Sequence, residues 1–190
     1  MNTLKEQSGY FYLVFAALAS WLLANLIEVE DTGNRLSPPH SPNFFSSGYQ
    51  KWTMSADGNP DNHLSAAHIS HYSDDKTTHL QQPLLTFQQP DQPPWLIQAE
   101  AGLVSADGKE VILEGRATIS REAYGNNKAL KIITSNLKVK PDIHYAETAD
   151  HAVLQSLPHT TSGTGMKLVF KQPIHIELLA HVQGKYETKP

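Results

Sequence analysis

The stretch Trp95-Leu-Ile-Gln-Ala-Glu-Ala-Gly-Leu103, the turn Ser105-Ala-Asp-Gly108 and the return Val111-Ile-Leu-Glu-Gly-Arg-Ala-Thr-Ile119 decide the fold. In the first arm Ile97, Ala99, Ala101 and Leu103 fall on one face, with Gln98, Glu100 and Gly102 on the other. In the second arm Val111, Leu113, Ala117 and Ile119 share a face, opposite Glu114, Arg116, Thr118 and Ser120. Successive side chains of a strand point to opposite sides, so this period of two marks a sheet with one wet face. Asp107-Gly108 supplies the residue pair a tight hairpin turn favours.

Working outward, the same alternation recurs in Leu64–Ile69, Leu130–Leu137, Met166–Phe170 and Ile174–Leu178. Turn-forming clusters stand between and beside them: Asp57-Gly58, Ser73–Asp75, Gly125–Asn127 and Ser162–Gly165. No segment after Ile27 carries a helical stripe of three turns with caps. The expectation is an all-β domain over residues 46–190, a meander of many strands that leaves two edges open unless something pairs with them.

Before this domain, residues 28–45 read as a linker, with Gly33, Pro38, Pro39 and Pro42 among serines and asparagines. Before that, Gln7 to Ile27 is a run of 21 residues without a formal charge. At about 1.5 Å per residue it spans roughly 30 Å as a helix, the thickness of a bilayer's hydrocarbon core. Residues 1–27 are therefore expected to be a short cytoplasmic tip and one transmembrane helix. Lys5 before the span and Glu28, Glu30 and Asp31 after it place the N-terminus inside and the domain outside. A cleaved signal peptide ending at Ala17-Leu18-Ala19 competes, but Trp21-Leu22-Leu23 continues the apolar run past that point. Ser20 and Asn25 give the helix polar positions able to pack against partner helices.

Composition removes several function classes. The 190 residues hold 15 Lys and Arg against 19 Asp and Glu, with no basic stripe to grip nucleic acid. There is no cysteine, hence no disulfide framework, thiolate metal site or cysteine nucleophile. Ten histidines lack metal-ligand spacing and read as surface residues; His68 and His71, three apart, belong to opposite faces of a strand. Gly163-Thr-Gly165 has no Lys-Ser/Thr or helix after it, so it is no phosphate loop. Asp74 and Asp75 read as solvated turn residues, and no Gly-x-Ser-x-Gly element is present. No enzyme, cofactor or metal is expected.

Several segments carry a more specific likeness: Leu64–Asp74, Gln82–Phe87, Trp95 with the Ala99 strand, Ile132–Asn136, Ser162–Met166 and Ile176–Tyr186. In this order and spacing, behind an N-terminal helix, they resemble the LptC family, the bitopic inner-membrane component of lipopolysaccharide export. The resemblance implies a twisted antiparallel β-jellyroll with an open V-shaped slot for the acyl chains of lipid A. It further implies a helix docked on the membrane subunits of an ABC transporter (LptF-like and LptG-like, with an LptB-like ATPase). The N-terminal edge would then pair with the transporter's periplasmic domain, and the C-terminal edge with the bridge protein LptA.

With that likeness in hand, alternation nominates the slot lining: Phe87, Ile97, Ala99, Leu103, Val111, Leu113, Ile119, Ile132, Leu137, Val139, Met166, Leu168, Phe170, Ile176, Leu178, Val182 and Tyr186. The plainer account is that these residues pack a dry core. Large Phe87, Ile176 and Tyr186 are expected near an edge, where they could move as lipid enters. Partner strands would add to the edges at Gly48, Tyr49 and Trp52 and at Ile174, Ile176, Leu178 and Tyr186. Two other classes stay open at this point: an anchored scaffold that uses its edges alone, and a jellyroll enzyme with a carboxylate-lined slot.

Overall fold

The computed structural model describes residues 12, 14–23 and 40–186, and the chain divides into two compact units, 1–39 and 40–190. In the first unit residues 12 and 14–23 are helical and Ser20 is exposed, while Asn25 lies outside the described residues. Among the described residues no helix is long and apolar enough to cross a membrane; most of the remainder of the 7–27 span falls outside them.

The second unit is all-β. Its strands are β1 (Pro42–Met54), β2 (Pro60–Tyr72), β3 (Thr78–Gln81), β4 (Leu84–Gln89), β5 (Gln92–Val104), β6 (Val111–Arg121), β7 (Leu130–Lys140), β8 (Tyr145–Ser156), β9 (His159–Val169) and β10 (His175–Lys185). They form one antiparallel sheet in the order β1-β2-β3-β5-β6-β7-β8-β9-β10, with β4 also between β2 and β5. β3 and β4 thus share one place in the sheet. They are separated at Gln82-Pro83, where Gln82 turns to φ +50° and Pro83 has no N–H to give a ladder.

The β5–β6 hairpin forms where alternation and the Asp-Gly pair require it. Gly108 sits at φ +71° and its N–H donates to the Ser105 carbonyl at 2.8 Å. The Ser105 hydroxyl donates to Asp107 at 2.6 Å and accepts the Glu110 N–H at 3.0 Å, closing the turn from within. These bonds, Ser105 first and the Lys109 N–H second, hold the Asp107 carboxyl below its ordinary range.

A line of kinks crosses the long strands near their middles. Register shifts fall between Ala99 and Ala101, Leu113 and Arg116, Thr148 and His151, and Ala180 and Gln183. Positive φ occurs along the same line at Gly48, Gly115, Asn136, Gly165 and His181. An extra or left-handed residue bends a strand and steepens its twist. Repeated strand after strand, it folds the sheet over, and the two halves turn their apolar faces toward one interior. Phe87 and Trp95 from one half meet Phe170 from the other, with ring centroids 4.4 and 6.3 Å apart.

The kinks correct three expectations. Leu103 does not share the inner face with Ile97, because the shift after Ala99 exchanges the parity of β5. Gly102 now opposes buried Leu113, Val104 packs on the core, and Leu103 opposes Ile112 on the outer face. Ser162–Gly165 is no turn but the middle of β9. Its glycines are there because β10 passes close: a Cβ on Gly163 would lie 3.1 Å from the Ala180 carbonyl oxygen and from Leu178 Cβ. Lastly, β1 begins at Pro42, inside the stretch read as linker, with Pro42 opposite Tyr72 and Phe44 opposite His71 of β2.

Candidate lipid slot and sheet edges

Apolar side chains from β2 through β9 converge on one cluster. Phe87, Ile97, Leu113, Ile119, Ile132, Leu137, Val139, Met166, Leu168 and Phe170 are fully buried in it, and Val111 nearly so. Ala99, Ile174, Ile176 and Leu178 pack against it while half-buried. Nearly all the residues nominated by alternation are thereby brought together. Phe87 stands in the interior between β2 and β5 rather than near an edge.

Besides Leu103, two nominated residues stand apart: Val182 is 56% exposed and Tyr186 is 70% exposed. The shift between Ala180 and Gln183, with His181 at φ +50°, turns the end of β10 away from the interior. Tyr186 instead lies beside His159, with ring centroids 5.5 Å apart.

Alternation did not nominate Trp95, Leu80, Leu85 or the small residues Ala146 and Ala152, all buried. Trp95 shares parity with Ile97 and was legible as an inward residue. The alanines sit where facing strands leave little room, which only the pairing reveals. Arg121 stacks its guanidinium 4.9 Å above the Trp95 ring, sealing that side.

Both ends of the strand order lack a neighbour among the described residues: β1 pairs only with β2, and β10 only with β9. On β1, Gly48 sits at φ +65°, Tyr49 packs inward, and Phe44, Phe45, Trp52 and Met54 are exposed. Trp52 stacks on His63 at 3.9 Å and Phe45 on His68 at 6.1 Å. On β10, Ile176 and Leu178 face the core while Leu179 is exposed. An unpaired row of backbone N–H and C=O groups flanked by exposed apolar side chains is the geometry that accepts an added strand.

One end of the interior is capped by polar groups. His144, at φ +52° after a 3-10 turn (Pro141–Ile143), is buried, with Nε2 3.1 Å from Asp61 of β2. This corrects the reading of every histidine as a surface residue: its ring lies 5.6 Å from Phe87 and 6.0 Å from Phe170. Gln89 donates through Nε2 to the Phe170 carbonyl, tying the β4–β5 turn to the end of β9. Elsewhere, Asp75 accepts from the Thr77 hydroxyl at 2.7 Å and its N–H at 2.9 Å, which holds its carboxyl below the usual range. His40, Asp74 and Asp75 form the one group of at least three possible metal ligands among the described residues, all exposed.

A bent antiparallel sheet around an apolar interior, with both edge strands open among the described residues, defines a jellyroll-like fold; among those residues no carboxylate belongs to its buried core. The particular kinship is given by sequence: the chain belongs to the LptC family, described as lipopolysaccharide-assembly, LptC-related, whose pattern matches residues 12–187. The family serves lipopolysaccharide transport on its periplasm-facing side, and its members are not enzymes. No curated protein matched the chain in a sequence comparison. Among solved structures, LptH of Pseudomonas aeruginosa, the LptA-homologous periplasmic component of the lipopolysaccharide transport device, is similar in fold. It aligns with a TM-score of 0.51 at 8% identity, covering 67% of this chain and 95% of that one.

Proposed function

We propose that this protein accepts lipopolysaccharide from an inner-membrane ABC transporter, shelters its acyl chains between the two halves of the bent sheet, and passes it to periplasmic LptA. In this reading residues 1–27 provide the cytoplasmic tip and a single-pass anchor, 28–41 the periplasmic tether, and the sheet from Pro42 onward the lipid-handling domain. Ser20 and Asn25 face partner helices of LptF-like and LptG-like subunits, which work with an LptB-like ATPase. β1 receives a strand of the transporter, and β10 a strand of LptA.

One observation carries the proposal: an apolar interior spanning both halves of a sheet whose two edge strands have no further strand beside them among the described residues. Hiding a methylene from water is worth about 0.8 kcal/mol, so a twelve-carbon chain left in the periplasm costs roughly 10 kcal/mol. A slot lined by Phe87, Ile97, Ile132 and Leu168 removes most of that penalty without covalent chemistry. Those side chains are fully buried in the closed form, so acyl chains enter by parting the halves and replacing protein contacts with lipid contacts. This exchange keeps the lipid from binding irreversibly.

The dense interior also supports a second reading, a scaffold that uses its edges alone. In-cell photocrosslinking separates the two. A photoreactive residue replaces Phe87, then Ile176, and adducts are identified. Lipopolysaccharide adducts at Phe87 that require ATP are expected. Protein adducts at Ile176 with no lipid at either position would leave the scaffold standing.

A further inference from the structure

We propose that a polar cleft at the His144 end of the domain binds hydroxyl-rich sugar, resting on the lipid-slot reading for the sugar to be the headgroup of the same molecule whose chains occupy the interior. The cleft has a volume of about 470 Å³, within the roughly 300–1,000 Å³ of small-molecule sites. It is built where four segments converge: the β1–β2 turn with Asp57, the start of β2 with Asp61, the end of β4 with Gln89, and the β9–β10 loop with Gln172. His144 forms part of its wall.

Two wall residues carry a buried polar atom without a partner among the described residues, Gln89 Oε1 and His144 Nδ1. Both are acceptors. Gln89 uses its amide N–H toward the Phe170 carbonyl, which leaves its oxygen unengaged. His144 presents Nε2 to the Asp61 carboxylate, so in the neutral ring the proton belongs on Nε2 and Nδ1 is left to accept. A buried acceptor left unmatched is costly, and the carboxylates of Asp57 and Asp61 add further acceptors to the same wall. The same wall also carries donors, the amides of Asn59, Gln88, Gln92 and Gln172 and the Lys171 ammonium. Sugar hydroxyls, which donate and accept at once, complement such a mixed wall, whereas the two carboxylates of Asp57 and Asp61 against one lysine oppose phosphate and carboxylate ligands.

Position strengthens the assignment. His144 is shared between the cleft and the aromatic end of the interior, against Phe87 and Phe170. A polar cleft whose wall residue His144 also packs on the apolar core matches an amphipathic molecule whose sugar and chains are joined.

The test uses the full chain in nanodiscs, titrated with a deacylated, dephosphorylated lipopolysaccharide oligosaccharide, with intact lipopolysaccharide, and with inorganic phosphate. Nitrogen NMR follows the His144 ring and the Gln89 side-chain amide. Oligosaccharide should shift both signals, whereas phosphate should shift neither. Asp57→Ala, in an exposed turn where folding is not at stake, should weaken oligosaccharide binding at least fivefold, and Gln89→Met at least tenfold. Tighter binding of the intact glycolipid identifies the headgroup as the ligand; equal binding identifies a free glycan, with the sugar site upheld. Absence of both shifts at millimolar oligosaccharide, or affinity unchanged in Asp57→Ala and Gln89→Met alike, would overturn the proposal. Crosslinking of lipid at Phe87 alongside that negative result would leave the slot reading intact. Sugar binding without any lipid adduct would sink the slot and spare the cleft.

Discussion

Replacing Asn136 by alanine tests whether the kinks of neighbouring strands are held as one hinge. Asn136 stands in the middle of β7 at φ +48°, a conformation asparagine tolerates and alanine resists by about 1–2 kcal/mol. Its Oδ1 accepts the N–H of Gly115, the kink residue of β6, at 3.2 Å. Its Nδ2 donates to Asp150 of β8 at 2.7 Å, and Ser135 donates to the same carboxylate oxygen at 2.8 Å. One side chain therefore ties the kinks of three strands. A neutral hydrogen bond contributes about 0.5–1.5 kcal/mol, and a charge-assisted one exposed to solvent falls at the low end of about 1.5–3 kcal/mol. Summed with the backbone penalty, Asn136→Ala is expected to cost about 3–5 kcal/mol. Asn136→Gly removes the same bonds without the left-handed penalty, so it should lie about 1–2 kcal/mol closer to wild type. Urea unfolding read by fluorescence of buried Trp95, checked by far-ultraviolet circular dichroism, measures both. If both variants unfold within 0.5 kcal/mol of the parent, the kinks are set strand by strand and the shared hinge is wrong.

Three further outcomes follow from the same geometry. Leu137→Ala empties a fully buried position beside that hinge and should cost about 2–5 kcal/mol in the same urea assay. Gly163→Ala drives a Cβ to 3.1 Å from the β10 backbone, so amide hydrogen exchange should quicken along β10 while β5 and β6 keep their protection. The Tyr145 hydroxyl is pushed up from 10.0 to about 12, first by burial and then by the hydrogen bond it donates to Glu147 at 2.8 Å. Because the folded value lies above the unfolded one, this group's stabilisation is whole below pH 10 and is lost as pH rises toward 12. Carbon NMR of labelled tyrosine should show Tyr145 titrating at about 12, and in Glu147→Gln nearer its ordinary 10.0.

The hairpin from Trp95 to Ile119 was readable because alternation is a property of one strand, and Ser105–Glu110 closes its turn with its own side chains. Most of the interior was readable for the same reason. What escaped was every feature set by a neighbour. The parity change that turns Leu103 outward comes from a shift against β6, and Gly163 and Gly165 look like a turn until β10 is seen crossing them. His144 is buried because Asp61, far away in sequence, comes within 3.1 Å of it. Periodicity names the residues that can face inward; pairing decides where along each strand the inward parity changes.

That division bears on how the protein can open. Parting the halves exposes interior side chains, and each large one costs about 1.5–3 kcal/mol if water rather than lipid takes its place. Opening without lipid is therefore strongly opposed, while opening around acyl chains exchanges one apolar partner for another. The kinks decide where bending concentrates. In the central strands the Gly115–Asn136–Asp150 ties make that line stiff. At the margins it is looser: β1 has Gly48, with nothing within 4 Å of a Cβ placed there, and β10 has its own shift beside His181. Movement is thus expected first at the edge strands, the same strands whose backbone is free to pair with a partner. A strand added to β1 or β10 would hold that edge in one position and so bias the interior beneath it. If the proposed function holds, docking and lipid admission are coupled through the margin of the sheet, with the tied centre as the fixed point.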